Sequence, residues 1–257
     1  MQIKQKMPVI AKLLHEAKRV LFITGAGISA DSGLPTYRGI GGLYESKDTE
    51  SGIPIEIALS GITMRNNPDL CWKYIAQIEA AGRNATFNDG HALLAQFERL
   101  LPKAWLLTQN VDGFHQAAGS KNLIEIHGNL RWIHCTMCHD RIPFEPTGEI
   151  TCTPRCVHCS GVMRPEVVLF GEALPTTAID TLQQEYTKGF DCVISIGTSS
   201  QFPYIAGPVF ESAHRGLTTV EINPEETPVS AVVDFRLAMP ATQALQHLME
   251  CYLHLRA

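Results

Sequence analysis

The chain has 257 residues, 45% of them hydrophobic and 18% charged, enough apolar material for one large core and a small satellite module. Its formal net charge is -5, and residues 130–165 carry four Arg/Lys against three Asp/Glu, so the positive footprint of a nucleic-acid binder is missing. No stretch approaches the roughly 20 apolar residues that span a bilayer, and residues 1–20 hold no signal-type apolar block. Eight cysteines, some at metal spacing and the rest among apolar neighbours, suit a reducing cytoplasm better than a disulfide framework.

The first helix is predicted to start at Pro8, with Val9, Ile10, Leu13, Leu14 and Ala17 on one face. It leads into Val20–Ile23, a short apolar run that reads as a buried parallel strand. Similar runs recur at Trp105–Leu107, Leu123–Ile126, Val193–Ile196 and Thr219–Ile222, separated by helical patterns such as His91–Leu101 and followed by a last helix from Ala241. This alternation predicts an α/β fold, a doubly wound Rossmann-like parallel sheet with a small inserted zinc-ribbon module. Residues 1–129 and 165–257 are expected to form the nucleotide-binding domain, and 130–164 the module.

Polar residues follow each strand directly: Thr24-Gly25-Ala26-Gly27, Thr108-Gln109-Asn110, His127-Gly128, Gly197-Thr198-Ser199 and Asn223. In an open parallel sheet the carboxyl ends of the strands line one crevice, so these five loops are expected to converge. Gly25 and Gly27 would let the backbone approach a pyrophosphate, met by open N–H groups where the following helix starts. Taken alone, Gly25-Ala26-Gly27-Ile28-Ser29-Ala30 fits an ordinary strand-to-helix turn equally well. It also departs from a dinucleotide fingerprint, because Asp31 to Tyr44 is a Gly/Pro-punctuated loop and not a second strand ending in an acidic residue. A hydride-transferring dehydrogenase is the poorer expectation, and a loop over a bound cofactor the better one.

Cys135-x-x-Cys138 and Cys156-x-x-Cys159, with seventeen residues between the pairs, have the spacing of a closed tetrahedral zinc site. Four thiolates leave no position for water, so such a zinc is structural. Gly161 suits a tight knuckle turn, while Cys152 leaves an alternative ligand set open. Cys71, Cys192 and Cys251 are expected as buried small apolar residues. His91 reads as part of a helix start, His134, His139 and His158 as solvated or lying behind the ligands, and His115 has no functional assignment.

With these elements in place the chain resembles the sirtuins, NAD-dependent protein lysine deacylases, as a bacterial-type single-domain member, over nearly its whole length. The resemblance is carried by Gly25–Gly33 with Pro35-Thr36-Tyr37-Arg38, Thr108–Asp112, His127-Gly128-Asn129, the two cysteine pairs, Arg164–Glu172, Gly197–Ser199 and Asn223, in the family's order. It implies NAD as cofactor, held by Gly25, Ala26, Gly27, Ile28, Ser29, Tyr37, Arg38, Tyr44, Gln109, Asn110, Val111, Asp112, Gly197, Thr198, Ser199, Asn223 and Ala241. It implies His127 as general base on a ribose hydroxyl, a task that an ordinary pKa of about 6.5 suits, with Asn110 and Asp112 holding the nicotinamide ribose and an ordered water. An acyl-lysine protein or peptide would dock by strand addition along Val167 to Glu172, touching Val167, Val168, Phe170, Gly171 and Glu172. The products would be nicotinamide, free lysine and O-acyl-ADP-ribose. The sequence leaves the oligomeric state open, with a monomer the first expectation.

Each of these residues has a bland rival. His127 alone would be an ordinary strand-end histidine, Arg38 a solvated loop charge and Asp112 a helix cap; their joint placement raises them. Among other functions, a zinc-ribbon nucleic-acid adaptor is opposed by the near-neutral ribbon. A mono-ADP-ribosyltransferase shares NAD cleavage at the same ribose carbon, and an NAD sensor would need the His127 chemistry to be absent. Sirtuins that remove succinyl groups carry a Tyr-x-x-Arg pair on a helix after Asn-Pro and Trp. Here Asn67-Pro68 and Trp72 put Ile75 and Ile78 in those places, and shifting to Tyr74 gives Gln77. Acetyl-lysine or aliphatic acyl-lysine is therefore expected to be processed far better than succinyl-lysine.

Overall fold

The structure, a computed structural model, describes residues 3–34 and 52–256. Helix α1 (Ile3–Glu16) leads into β1 (Val20–Thr24); α2 (Ile55–Ala58), α3 (Gly61–Asn66) and α4 (Pro68–Gly82) precede α5 (Asp89–Leu100) and β2 (Ala104–Thr108). Then come α6 (Phe114–Ala117), β3 (Leu123–Glu125), β4 (Gly128–Cys135), β5 (Arg141–Pro143) and β6 (Met163–Val167). The remainder comprises α7 (Thr176–Thr187), β7 (Cys192–Ile196), α8 (Pro203–His214), β8 (Thr218–Ile222), β9 (Phe235–Leu237) and α9 (Ala241–His254).

Six parallel strands form the main sheet in the order β3-β2-β1-β7-β8-β9. The order reverses between β1 and β7, which is the switch point of a doubly wound sheet. Val20 and Phe22 of β1, with Ile194 and Ile196 of β7, pack with Leu14 of α1, Phe97 of α5 and Leu245 of α9. On the opposite face Leu21, Ile23 and Val193 pack with Ile205 and Val209 of α8. Burial on both faces is why these strands read as continuous apolar runs.

Helix α1 and strand β9 differ from the sequence expectation. Pro8 lies inside α1, not at its start. Met7, Ile10, Ala11 and Leu14 form a buried stripe that holds the helix together, and the proline forfeits one bond, to the carbonyl of residue 4. Strand β9 has no counterpart among the predicted strands, because three residues offer no period to detect. It is held by pairing to β8 and by Arg236, whose Nε lies 3.4 Å from Oε2 of the buried Glu221.

The second sheet is small and antiparallel, in the order β5-β4-β6, with an irregularity between Asn129 and Ile133. Ile133, Cys135 and Met163 join Ile55, Met64, Trp72, Tyr74 and Ile75 of α2–α4 in one apolar cluster, and Trp72 Nε1 donates to Met163 O at 2.9 Å. The packing unit around the cysteine pairs is thus broader than residues 130–164. Helix α4 starts cleanly, with Asn67 Oδ1 accepting from Leu70 N at 3.3 Å and Pro68 in the first turn. Cys71 and Cys192 are buried as expected, Cys251 only in part. No helix among the described residues is long and apolar enough to cross a membrane.

Candidate active site and metal cluster

The loops after β1 and β7 meet backbone to backbone at the switch point. Gly27 N donates to Gly197 O at 2.8 Å and Gly25 N to Ile196 O at 3.2 Å. A Cβ on Gly27 would lie 2.7 Å from Gly197 Cα, and one on Gly25 would lie 2.8 Å from Thr198 Cα. The glycines are therefore required by the crossing of two loops, apart from any ligand. An α-helix with open amides does not follow β1. The chain makes two 3-10 turns, Ala26–Ile28 and Ala30–Ser32, in which Ile28 N and Ser29 N already donate to Gly25 O and Ala26 O. Gly33, at φ +81°, caps the second turn and stops it from propagating.

Thr198 ties the other loops together. Its Oγ1 accepts from Gln109 Nε2 at 2.6 Å and Ser200 N at 3.2 Å, and its carbonyl accepts from Asn223 Nδ2 at 2.9 Å. Asn110 Nδ2 donates to Gly25 O at 3.1 Å and Ser29 Oγ at 3.2 Å, and Ser29 Oγ donates to Asp112 Oδ2 at 2.8 Å. The other oxygen of Asp112 accepts from Phe114 N at 2.9 Å. Burial pushes the Asp112 carboxyl above its ordinary value, against the pull of these donors. Ser29, Asn110 and Asp112 thus form one polar group and Gln109, Thr198 and Asn223 a second, and the two lie side by side where the Gly25–Gly27 and Ile196–Gly197 backbones are bonded. Ser199 is exposed beside the second, and Ala241 opens α9 with its side chain in the core that also holds Ile28. Tyr37, Arg38 and Tyr44 lie outside the described residues.

His127 stands between the two sheets. Val168 N donates to its carbonyl at 2.9 Å, and the following Gly128 adopts φ +79°, where a Cβ would lie 2.0 Å from Glu166 O. Nδ1 of His127 is 3.0 Å from Gln109 O. A carbonyl only accepts, so Nδ1 carries the ring hydrogen and Nε2 the lone pair. The Tyr204 hydroxyl, 2.7 Å away, therefore donates to Nε2. Burial lowers the His127 pKa, with the bond to Gln109 acting in the opposite direction, so the ring is neutral near pH 7.

A cavity of about 440 Å³ opens beside the first group, lined by Ala26, Ser29, Asn110, Val111, Asp112 and Phe114 on one side and by Leu34, Ile78, Gly82, Arg83, Leu130 and Phe144 on the other. Ile78 faces the cavity, whereas Ile75 is buried in the small-sheet cluster. Arg83 Nε donates to Glu79 Oε1 at 2.9 Å, and both residues line the cavity, as does Arg131. Along residues 167–172, Phe170 N donates to Leu59 O at 2.9 Å and Phe170 O accepts from Gly61 N at 3.1 Å. Glu172 accepts from Arg164 Nη1 and Nη2 at 2.8 and 2.9 Å and from Leu169 N at 3.0 Å, and Gly171 turns at φ +78°.

Cys135, Cys138, Cys156 and Cys159 bring their Sγ atoms within 4.8 Å of one another, and Cys152 is not part of the group. Cys135 and Cys159 Sγ are 3.4 Å apart, Cys138 and Cys156 Sγ 3.6 Å. Sulfurs at the corners of a zinc tetrahedron, each about 2.3 Å from the metal, are about 3.8 Å apart, so the group fits the ion. The amides of Cys138 and Met137 point at Cys135 Sγ, at 3.5 and 3.3 Å, and favour its thiolate, pulling the thiol below its ordinary value. His139 and Ser160, each just after a second cysteine, take φ +62° and +60°. The left-handed turn is at Ser160; Gly161 is required because a Cβ there would lie 2.8 Å from Cys135 Sγ.

The Sir2 family profile matches residues 25–203. The chain belongs to the Sir2 family. It is 48% identical over 241 residues to a Pseudomonas aeruginosa protein named NAD-dependent protein deacylase 2, covering 89% of this chain and 90% of that one. Among solved structures, a Sir2 homolog–NAD complex matches with TM-score 0.84 at 34% identity over 96% of this chain and 94% of that chain. A Sir2–p53 peptide–NAD+ complex matches with TM-score 0.80 at 26% identity over 97% and 98%.

Several site neighbours of this Sir2 chain carry no sequence signal. His91 does sit at a helix start, where Asn88 N donates to its Nδ1 at 3.3 Å, yet its ring also lies 4.7 Å from that of His115. His115 Nε2 is 2.9 Å from Thr24 Oγ1, which donates to Thr108 Oγ1 at 2.9 Å, so a polar layer supports the Ser29, Asn110 and Asp112 group from below. Burial lowers His91 to about 4 and holds His115 well below its ordinary value. Phe202 and Tyr204 flank His127 from a stretch that matches no pattern in the sequence reading, and only the folded chain brings them there.

Proposed function

We propose that this Sir2-family chain is an NAD-dependent protein lysine deacylase, a cytoplasmic monomer that releases nicotinamide and O-acyl-ADP-ribose. The observation that carries the reading is the state of His127: neutral, with Nδ1–H held by Gln109 O and the lone pair on Nε2, beside the crevice where Ser29, Asn110 and Asp112 meet. A base so placed takes a hydroxyl proton near neutral pH and contributes about 10² to 10⁴ in rate.

NAD supplies a leaving group, nicotinamide, and the ribose carbon that receives the acyl oxygen. The loops at Gly25–Ser29, Gln109–Asp112 and Gly197–Ser199, with Asn223, would hold it. Asn110 would orient the ribose, and Asp112, already fixed by Ser29 and Phe114, would hold a water. The substrate backbone would pair along Val167–Glu172. Val168 N, both backbone groups of Leu169, both of Phe170 and Glu172 N are bonded within the chain, so an added strand would use the remaining groups of that segment. The four cysteines would hold a structural zinc in a module at 130–164, inserted between the two halves of the NAD-binding domain. The name of the Pseudomonas relative and the NAD and peptide in the matching complexes support this reading.

The test is incubation with NAD and an acetyl-lysine peptide, followed by mass spectrometry. Deacylated peptide with matching nicotinamide and O-acetyl-ADP-ribose bears the reading out. A peptide that gains ADP-ribose and keeps its acetyl group makes the protein a mono-ADP-ribosyltransferase.

A further inference from the structure

The Nε2 atom of His127 already has an occupant. Tyr204 is the second residue of α8, behind Pro203, so the start of a helix fixes its backbone. Its ring stacks on Phe202 at 13° with centroids 5.3 Å apart, and both rings meet His127 edge-to-face, at 5.8 Å for Tyr204 and 5.7 Å for Phe202. Within this clamp the phenol sits 2.7 Å from Nε2. Nδ1–H is committed to Gln109 O, so Nε2 is the only basic atom of the ring. Among the described residues that line the 440 Å³ cavity, Asn110 and Asp112 appear but neither His127 nor Tyr204 does.

We propose that Tyr204 is a positioning residue that occupies the Nε2 lone pair of His127 in the free enzyme and cedes it to a ribose hydroxyl of NAD, so that phenol and cofactor compete for one atom. The proposal rests on the reading of His127 as general base. A phenol and a ribose hydroxyl are both neutral O–H donors, and a single lone pair accepts one such bond well. A half-buried lone pair left without a partner is unfavourable, so a protein donor satisfies it until the cofactor arrives. For the ribose to enter, the phenol oxygen must move off the lone pair. Phe202, stacked on Tyr204 and 38% exposed, borders the solvent side toward which the pair can shift.

Tyr204→Phe removes the hydroxyl and keeps the stacked ring. In the ligand-free protein the nitrogen-15 resonance of His127 Nε2 is expected to shift while Nδ1 stays protonated. NAD alone, measured by calorimetry, should bind about 2- to 10-fold tighter, the worth of one neutral hydrogen bond. KM for NAD should fall with it while kcat changes little. Tyr204→Leu, which also loses the ring, should show the same tightening, and thermal melts establish that both variants fold. Unchanged or weaker NAD binding in Tyr204→Phe overturns the proposal. So does a kcat at least tenfold lower at unchanged affinity, which makes the phenol part of the proton transfer. The two readings fail separately: an active His127→Ala variant removes the general base, whereas the competition for Nε2 stands or falls on the binding and resonance data.

Discussion

In the large lobe, apolar clusters cover both faces of a six-stranded sheet, with Leu14, Phe22, Phe97 and Leu245 on one side and Ile23, Val193 and Ile205 on the other. In the small lobe a single cluster serves three short strands and α2–α4, and two of its buried members, Cys135 and Cys156, belong to the four-cysteine group. The large lobe can hold its shape by burial alone, whereas the small lobe's core is continuous with its sulfur cage. The crevice needs both. Gln109, on the loop after β2, fixes the His127 ring, and Val168, just past β6, holds the His127 backbone.

The largest expected effect separates chemistry from either lobe's stability. His127→Ala should lower kcat by about 10²- to 10⁴-fold with zinc content and melting behaviour unchanged; more than about a tenth of the activity remaining removes His127 as the base. As the proposed base His127 would act through its neutral ring, and burial depresses its pKa below the ordinary value. Activity should therefore hold at neutral pH and be lost as pH falls through that lowered value, and a rate that climbs on acidification contradicts the assignment.

How much of this was legible in the sequence follows the same division. Strands such as Val20–Thr24 and Cys192–Ile196 announce themselves because burial on both faces demands unbroken apolar runs. The cysteine pairs were legible because chelation fixes spacing. Helices α2 and α3, with four and six residues, are too short to show a period, and their packing on the small sheet is a tertiary matter. Within the site, Gln109, Asn110, Asp112 and His127 follow strands and could be placed. Tyr204 and His115 act through contacts 77 and 91 residues away in sequence, which no local pattern encodes.

Removing a sulfur ligand is the direct way to break the comparison. Cys135→Ser or Cys159→Ser should lose zinc and destabilise the small lobe by several kcal/mol, seen as faster hydrogen exchange in β4, β6 and α4 while β1, β2 and β7 stay protected. Equal deprotection of both lobes would show that they are one cooperative unit. Cys152→Ser should leave zinc stoichiometry unchanged, and metal loss there would overturn the ligand set.

The large lobe should yield to a different perturbation. Gly27→Ala places a Cβ 2.7 Å from Gly197 Cα, and relieving that clash is expected to cost about 1–3 kcal/mol with zinc retained. Mild acid should also act here, since His91 titrates at about 4 in the folded chain. An unfolded histidine binds its proton at about 6.5, so between those values the unfolded chain holds more protons and stability falls as pH falls. His91→Gln should flatten that slope in thermal melts, and an unchanged slope assigns it to other groups.

The smallest expected effect lies where the lobes face each other across the cavity. Ile78 lines it, and a carboxylate brought against an isoleucine loses water without gaining a charge, while each buried methylene of an aliphatic chain gains about 0.8 kcal/mol. Arg83, one turn past Glu79 on the same wall, is the cation that could change this, but its guanidinium is held by the Glu79 carboxylate, with which an acidic acyl chain would have to compete. Acetyl-lysine should therefore exceed succinyl-lysine in kcat/KM by at least about tenfold on matched peptides. Glu79→Gln, which weakens the hold on Arg83, should narrow that ratio a few-fold by raising succinyl turnover alone. A ratio that does not move means Arg83 is out of reach of the acyl chain. Equal turnover of the two peptides by the unaltered protein would mean that Arg83 or Arg131 already serves the carboxylate, and the alignment anchored on Asn67, Pro68 and Trp72 would have to be given up.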